Sequence, residues 1–416
     1  MRVALVSFEF PPAVAIGGIG TYAWQASLMM SAAGWDVEVF AAGDPKQEEA
    51  ATAHGIKVHR FQAANRDEFR NLIVDSFRQR QRVKPFDVLE SPEIGAEGAG
   101  IAEAFPQLPL VVKLHTPSYL VAETGYEPLS LAQRTRFSLG ALARGRWATL
   151  KAPAYVPELD MECRFTRSAD EVAAPSHSIG DRLIQAWSLD PARVSFFPLP
   201  VAPEPALLEL PFPDRVGVIG FLGRLEARKG VPELAEAIPA ILKEAPHLRF
   251  RFIGPSWPYK GTDMESWIRK VCHRHLGQIE FTGPVKRTDL HAELGRCDAV
   301  VLPSRWESFG LVCPEAMAAG RTVIGSASGG MADIIEAGKS GLLVPPRDPA
   351  AISRAILKLA ADPALARSLA IGGRARILEL LSPAQVLSRQ EASYRRAIAH
   401  SKLRSSRRQE SHAAAI

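Results

Sequence analysis

The feature that most constrains the fold is an alternation of short apolar runs with longer amphipathic segments. The runs are four to seven residues long and rich in β-branched side chains, and the segments between them have helical spacing. This alternation is typical of parallel sheets covered by helices on both faces. In the first half of the chain the predicted strands are Val3–Ser7, Asp36–Ala41, Lys57–Phe61, Phe86–Glu90, Leu110–His115, Glu171–Ala174 and Val194–Phe197.

A proline-rich stretch divides this alternation into two similar-sized α/β domains. Residues 198–213 contain six prolines, too many for a helix or a central strand. We therefore expect a first domain over residues 1–200, a linker over 201–213 and a second domain over 214–381. In the second domain the predicted strands are Val216–Leu222, Arg249–Ile253, Ile279–Thr282, Asp298–Pro303, Thr322–Gly325 and Gly341–Val344.

The end of the chain carries two further predictions. Residues 382–400 have the pattern of a final helix, which either completes the second domain or crosses back onto the first. Residues 401–416 combine basic side chains with a run of alanines, and they predict a disordered basic tail.

Composition excludes several classes of protein. Hydrophobic residues make up 47% and charged residues 23%, as in globular proteins, and a net charge of +5 is too small to indicate a nucleic-acid partner. The four cysteines form no C-x-x-C pair and indicate reduced thiols in a cytoplasmic protein. The uncharged stretch Phe10–Trp35 contains two prolines and four glycines, which favour a loop and a buried helix over a membrane span or signal peptide.

Glycines cluster after the first predicted strand. Gly17, Gly18 and Gly20 precede a helix, where backbone N–H groups and the helix dipole attract phosphate. With Ala23, they also match the G-x-G-x-x-A dinucleotide fingerprint, although about ten residues separate them from the strand. A tight turn without any ligand explains the same glycines.

Two cations follow the first strand of the second domain. Arg224 and Lys229 lie in a glycine-bounded loop at the carboxyl end of that strand, the edge where open α/β sheets bind ligands. Two fixed cations there suit a diphosphate, but taken alone they are also typical of a solvated basic loop.

Two acids flank a helix start in the second domain. Glu307 lies in the loop after the predicted strand Asp298–Pro303, and Glu315 follows Pro314 in the first helical turn. A carboxylate in this position can accept two hydrogen bonds from a ribose diol, and the adjacent N–H groups can receive phosphate oxygens.

The segment Leu302–Gly320, which contains these two acids, resembles the E-x7-E signature of glycosyltransferase family 4. The resemblance continues in the family's order over most of the chain. Its other pieces are Gly17-Gly18, Gly223–Gly230, Gly329–Ile335 and Gly338–Val344.

This resemblance implies a GT-B fold, with two Rossmann-like α/β/α domains facing across a central cleft. The first would be the acceptor side and the second would bind the nucleotide-sugar donor. Such enzymes transfer a sugar with retention of configuration and need no metal or other cofactor. The chain accordingly contains no D-x-D pair.

The resemblance also implies roles for individual residues. Arg224 and Lys229 would stabilise the departing diphosphate, Glu315 would bind the ribose hydroxyls, and Glu307 and His115 would face the donor sugar. Backbone contacts to the donor are expected from Gly17, Gly18, Phe309, Gly310 and Leu311. Retention favours front-face attack, but double displacement through a carboxylate stays open.

Two departures from the family bear on the substrates. Ala15 stands where starch and glycogen synthases carry the lysine of K-x-G-G, which argues against an ADP-glucose glucan synthase. Asp333 follows Gly329-Gly330 near a position where relatives often have glutamate, in the part of the site that contacts sugar hydroxyls. The donor sugar is therefore left open.

The acceptor side contains one distinctive segment. Between Glu127 and Glu158 there are no acids, and arginines alternate with leucines and aromatic residues. This pattern suits a helix on an anionic membrane surface, and a lipid-linked acceptor would then follow. An ordinary helix packed on the sheet explains it as well.

Taken together, these features predict a hexosyltransferase that uses a nucleotide diphosphate sugar and a glycan, lipid-linked or small-molecule acceptor. We expect it to serve cell-envelope polysaccharide or glycolipid synthesis, in the cytoplasm or peripherally on the inner membrane face. The alternatives are another GT-B enzyme, such as a nucleotide-sugar epimerase or a phosphorylase, and an NAD-dependent oxidoreductase. In the oxidoreductase the diphosphate would bind at the glycines of the first domain.

Overall fold

The structure is a computed structural model that describes residues 1–12, 17–46, 54–125, 131–144 and 155–413. The strands are β1 Arg2–Ser7, β2 Asp36–Ala42, β3 Lys57–Phe61, β4 Val88–Pro92, β5 Leu110–Lys113, β6 Glu171–Ala174, β7 Val194–Phe196, β8 Val218–Leu222, β9 Arg249–Ile253, β10 Pro258–Tyr259, β11 Thr262–Asp263, β12 Ile279–Gly283, β13 Ala299–Leu302, β14 Thr322–Ser326 and β15 Leu342–Val344. The helices are α1 Gly18–Ala32, α2 Arg66–Val83, α3 Ala99–Ala104, α4 Ser118–Gly125, α5 Leu131–Leu142, α6 Met161–Ser168, α7 His177–Trp187, α8 Pro205–Leu208, α9 Val231–Glu244, α10 Met264–Val271, α11 Leu290–Gly295, α12 Val312–Ala318, α13 Met331–Ile334, α14 Pro349–Ala361, α15 Pro363–Leu380 and α16 Pro383–Ala413.

The first domain is built on a seven-stranded sheet in the order β3-β2-β1-β4-β5-β6-β7, with all neighbouring strands parallel. Successive residues of β1 enter different cores because side chains alternate along a strand. Val3 and Leu5 pack in the core that includes α1 and α16, whereas Ala4 and Val6 pack in the core that includes α2, α6 and α7. Both faces of the sheet are therefore covered.

The second domain repeats this architecture with a six-stranded parallel sheet in the order β12-β9-β8-β13-β14-β15. Helices α9, α10 and α14 cover one face, and α11, α12 and α13 cover the other. The predicted fold class, two doubly covered parallel α/β domains, is confirmed.

Each sheet has a switch point beside the first strand of its domain. β1 lies between β2 and β4, and β8 lies between β9 and β13, so the chain winds outwards in both directions from these strands. Ligands of open α/β sheets bind outside the carboxyl ends of the strands at such points. The fold thus places the loops after β1, β4, β5, β8 and β13 where a ligand can reach them.

The linker contains a helical turn that the prolines were expected to exclude. Helix α8 starts at Pro205, which occupies the first helical position, where a missing N–H breaks no hydrogen bond. Leu207 of this turn is buried in a core to which both domains contribute. The turn therefore packs between the domains, and the expectation was wrong for these four residues.

The last helix returns to the first domain. α16 contacts β4, β5 and β6, and the hydroxyl of Tyr394 donates to the buried carboxylate of Glu90 at 2.6 Å. The helix continues through Ala413, whereas the sequence predicted disorder from residue 401. Ser401 is buried and Arg404 pairs with Asp170 at 2.8 Å, so polar contacts, which composition does not reveal, order the start of the predicted tail.

The basic segment between Glu127 and Glu158 lies partly outside the described residues. Residues 126–130 and 145–154 are not described, and only some side chains of helix α5 are described. Leu139 and Leu142 of α5 are exposed. Among the described residues, no helix is both long enough and apolar enough to cross a membrane.

Candidate active site

The loops at the carboxyl ends of the two sheets meet across the cleft. The hydroxyl of Thr116 donates to the hydroxyl of Ser308 at 3.1 Å, and the hydroxyl of Ser176 donates to the carbonyl of Ser308 at 2.6 Å. A Cβ added to Gly18 would lie 3.5 Å from Cδ1 of Leu311. The glycines of the first domain and the loop between the two acids of the second are therefore in direct contact.

Lys229 lies in the helical turn Ala227–Lys229, which follows β8 and precedes α9. Its Nζ is 2.5 Å from Oε2 of Glu307, while Arg228 approaches the other oxygen of this carboxylate at 3.7 Å. The turn ends at Gly230, where φ is +72° and an added Cβ would lie 2.0 Å from the carbonyl oxygen of Pro303. Only glycine fits there, and it brings Lys229 against the end of β13.

Arg224, which precedes this turn, is more accessible than Arg228 and Lys229. Its side chain is 37% exposed, lies 3.4 Å from Glu226 and stacks over Trp257 at 5.2 Å. We call Arg224, Arg228 and Lys229 the cationic group. Within it, Arg224 retains the freedom to meet an anion arriving from solvent.

Lys229 and Glu307 form an ion pair, and burial and charge act in opposite directions on their pKa values. Burial favours the neutral forms, and it lowers the pKa of Lys229. Burial alone would raise the pKa of Glu307, but the charges of Lys229 and Arg228 outweigh it and lower that pKa to about 2. Glu307 is therefore ionised at neutral pH and balances part of the cationic charge.

The loop after Glu307 leads into α12. The side chain of Phe309 is buried, so only its backbone faces the cleft side, and Gly310 has φ of +81°, which favours glycine. Glu315 lies in the first turn of α12, as predicted, and accepts a hydrogen bond from Arg287 at 2.9 Å. Burial raises the pKa of Glu315, although Arg287 opposes this effect.

His115 lies two residues beyond the end of β5, whereas the sequence predicted that it would end the strand. Its backbone N–H donates to both oxygens of Glu93, at 2.9 and 2.8 Å, and its ring contacts the ring of Tyr22 edge-on. Burial, with Lys113 and Arg66 nearby, lowers the pKa of His115 to about 3. The imidazole is therefore neutral at physiological pH.

Gly17 precedes α1, and Gly18 is the first residue of that helix. Gly20 packs on the backbone of Glu9, because an added Cβ would lie 3.3 Å from the carbonyl oxygen of Glu9. β1 ends at Ser7, so ten residues separate strand and helix, and Ala15, which bears on the K-x-G-G comparison, lies outside the described residues.

Asp333 contacts the first domain. Its carboxylate accepts a hydrogen bond from the backbone N–H of His177 at 2.6 Å, at the start of α7 in the first domain. The residue thus bridges the cleft, a contact that the sequence did not predict. Acids are favoured at helix N-termini, where N–H groups lack partners inside the helix.

Two further residues at the site were missed from the sequence. Arg228 adjoins Lys229, and this Arg-Lys pair was a signal that could have identified it. Arg287 lies in the helical turn Arg287–Asp289 before α11, and no local pattern in the sequence marks its contact with Glu315. Within the described residues, no group of three or more histidine, cysteine, aspartate or glutamate side chains could hold a metal ion.

Family models match both domains. Residues 16–204 match the model described as Glycosyltransferase Family 4, and residues 209–376 match the model described as Glycosyl transferases group 1. Sucrose-phosphate synthase from Thermosynechococcus elongatus has the same fold, with a TM-score of 0.70 and 23% identity over 96% of this chain and 99% of that one. HepE of Anabaena, solved in complex with UDP, has a TM-score of 0.66 and 18% identity over 94% and 100% of the two chains.

Curated relatives agree on the class. A glycogen synthase of Mycobacterium tuberculosis is 28% identical over 91% of this chain and 90% of its own length. A D-inositol 3-phosphate glycosyltransferase of Stackebrandtia nassauensis is 26% identical over 89% and 86% of the two chains. The fold is therefore GT-B, and the chain is a glycosyltransferase.

Proposed function

We propose that the protein is a retaining, metal-independent hexosyltransferase that uses a nucleotide diphosphate sugar. The observation that carries this proposal is the cationic group at the carboxyl end of β8, which contacts Glu307 through Arg228 and Lys229. The loop that follows Glu307 in turn contacts Gly18 of the first domain through Leu311. The structural neighbour HepE, solved in complex with UDP, supports a nucleoside diphosphate as the ligand.

The cationic group would stabilise the departing diphosphate. Lys229 and Arg228 are buried and held by Glu307, so they need little reorganisation when negative charge develops on the leaving group. The exposed guanidinium of Arg224 would add a bidentate contact to phosphate. These fixed charges supply the electrostatic role that a divalent cation plays elsewhere, and we infer that none is required.

Glu315 would bind the ribose. Arg287 bonds one of its oxygens, which orients the carboxylate and leaves the second for the hydroxyls of the sugar. The backbone of Phe309, Gly310 and Leu311 would contact the donor beside it, and Gly17 and Gly18 would complete the diphosphate subsite from the first domain.

His115 would face the donor sugar as a neutral imidazole. Its two backbone bonds to Glu93 fix the loop in position, and its low pKa keeps an uncharged ring that can donate or accept a hydrogen bond. Glu307 pairs with two cations, which makes its carboxylate a poor nucleophile. Front-face attack, with the leaving phosphate accepting the proton of the acceptor, therefore fits the site better than double displacement.

The acceptor we propose is a glycan, a lipid-linked sugar or a small molecule, and the product a polysaccharide or glycolipid of the cell envelope. The reaction would take place in the cytoplasm or at the inner face of the membrane. Flotation with anionic vesicles tests the membrane part of this proposal, and a protein that stays in the bottom fraction would contradict it.

Calorimetric titration with UDP, GDP, ADP and NADH, with EDTA and then with magnesium, tests the donor site. We expect one nucleoside diphosphate to bind equally well in both conditions and to lose affinity in Glu315→Ala. Binding of NADH alone would contradict the proposal and favour the oxidoreductase. The anomeric configuration of the product, determined by NMR, tests retention.

A further inference from the structure

Glu9 lies beside the place where the two domains meet. It follows β1, and an added Cβ on Gly17 would lie 3.1 Å from its Oε2. The next residue, Gly18, contacts Leu311 of the second domain. The carboxylate is therefore one residue away from the proposed donor site, on the acceptor side of the cleft.

Arg66 holds this carboxylate in a fixed position. Its guanidinium bonds Oε1 of Glu9 at 2.7 Å and a carboxylate oxygen of Glu97 at 2.7 Å, and it stacks over Phe8. Glu97 is fully buried and also accepts the backbone N–H of Phe8. We call Glu9, Arg66 and Glu97 the Glu9 group.

The second oxygen of Glu9 has no partner. Oε2 is buried and, among the described residues, receives no hydrogen bond. A buried carboxylate oxygen without a donor is costly, because it has lost its hydration and gained nothing in return. The Glu9 side chain as a whole is 15% exposed, so part of it lies at the surface, and a ligand hydroxyl that reaches Oε2 would supply the missing donor.

The charge of the Glu9 group selects the kind of ligand. A single guanidinium lies between two carboxyl groups, so the group has no net positive charge to offer a phosphate. Arg60, which is close to the same loop, is buried and donates to the carbonyls of Phe10, Pro11 and Ala42. A hydroxyl satisfies Oε2, whereas a phosphate dianion would meet a carboxylate.

We propose that Glu9 binds a hydroxyl of the acceptor, and that the acceptor ring receiving the sugar is uncharged. This inference rests on the proposed transferase function and narrows its substrate class. Of the acceptors named for the relatives, it favours the neutral glucan type over the phosphorylated inositol type. Glu9 is thus a specificity-determining residue of this reaction.

The test compares acceptors that differ in charge. With the full-length protein and the nucleotide sugar selected by calorimetry, nucleoside diphosphate release is measured with maltotetraose, myo-inositol and D-inositol 3-phosphate. The variants are Glu9→Gln, which keeps the shape but removes the charge, and Glu103→Gln, a matched control on the exposed side of α3. Donor affinity and donor hydrolysis without acceptor are measured for each.

We expect the wild type to prefer an uncharged acceptor. In Glu9→Gln, the KM for that acceptor should rise about tenfold, with donor affinity and hydrolysis unchanged, because a hydrogen bond to an ionised oxygen is lost. The disadvantage of D-inositol 3-phosphate should shrink in the same variant, an effect that a merely structural role would not produce.

Preference for D-inositol 3-phosphate by the wild type, or an unchanged acceptor KM in Glu9→Gln, would overturn the inference. A protein that binds no nucleotide sugar at all would overturn the proposed function and this inference together. The separate donor titration distinguishes that outcome from the first two.

Discussion

The carboxyl edges of the two sheets have the same topology and opposite electrostatics. In the second domain, the edge holds Arg224, Arg228 and Lys229, with Glu307 balancing part of their charge. In the first domain, Arg66 at the edge lies between two carboxyl groups. Each edge lies at the switch point of its own sheet.

This difference shows that the fold supplies the location and the side chains supply the chemistry. A cationic edge suits a ligand whose negative charge grows as a bond breaks, and an edge of carboxyl groups suits hydroxyl donors. On this basis we propose that the second domain forms the donor side of the cleft and the first domain the acceptor side. The following predictions, from the largest expected effect to the smallest, test that assignment.

Lys229→Ala should have the largest effect. Turnover should fall about 100- to 1000-fold, because the charge is needed most where the diphosphate departs. Steady-state kinetics measure the loss of turnover, and thermal melting measures any loss of stability. Lys243→Ala, an exposed lysine on α9, is the control and should behave as the wild type. Equal losses of activity and melting temperature would contradict the assigned role.

Glu315→Ala should weaken nucleotide binding more than it slows chemistry. The dissociation constant of the preferred nucleoside diphosphate should rise roughly 10- to 100-fold, as expected when hydrogen bonds to a buried carboxylate are removed. Calorimetry measures this change, with the exposed Glu236→Ala on α9 as the matched control. Unaltered affinity would show that the nucleoside does not bind at α12, and it would contradict a donor site at the carboxyl edge of the second sheet.

Asp333→Ala removes a contact between the two edges. The carboxylate caps the start of α7 from the opposite domain, so its loss should favour an open cleft and raise the donor KM about threefold to tenfold. Small-angle scattering with and without UDP should show a larger open fraction. Asp181→Ala, exposed on α7 itself, is the control, and a scattering curve identical to that of the wild type would argue against the bridge.

The variant Glu97→Gln tests the electrostatics at the carboxyl edge of the first sheet through the pH dependence of stability. Burial raises the pKa of Glu97 to about 7, against the attraction of Arg66, while an unfolded chain keeps the ordinary value of 4.5. Between pH 4.5 and pH 7 the native state therefore binds a proton at Glu97 that the unfolded state does not bind. The stability that Glu97 contributes is present below pH 4.5 and is lost as the pH rises to 7.

The melting temperature of Glu97→Gln, measured relative to the wild type, should therefore increase by a few degrees between pH 4.5 and pH 7. Melting curves over this range measure the shift, and Glu103→Gln should show none. A difference in melting temperature between the variant and the wild type that stays constant with pH, or that decreases as the pH rises, would contradict a raised pKa for Glu97.

Much of the fold could be predicted from local sequence. Most strands end within two residues of the prediction. Apolar periodicity and turn residues act over a few positions, so they can be recognised without knowing the fold. The same holds for Glu315, whose place in the first turn of α12 follows from Pro314.

Other features could not be predicted, because no local pattern marks them. α8 forms because Leu207 finds a core between the domains, and α16 is ordered past residue 401 because Arg404 meets Asp170. Composition alone predicted a linker and a disordered tail, since it does not reveal which surface a polar helix will contact.

The sequence by itself predicted two α/β domains and placed Arg224, Lys229, Glu307 and Glu315 in the segments that follow predicted strands. The tertiary structure alone decided which of these side chains pair. Lys229 and Glu307 are 78 residues apart, and Glu9 and Arg66 are 57 apart. Electrostatics and desolvation depend on distance in space, and only the packing of strands and helices converts positions in the chain into such distances.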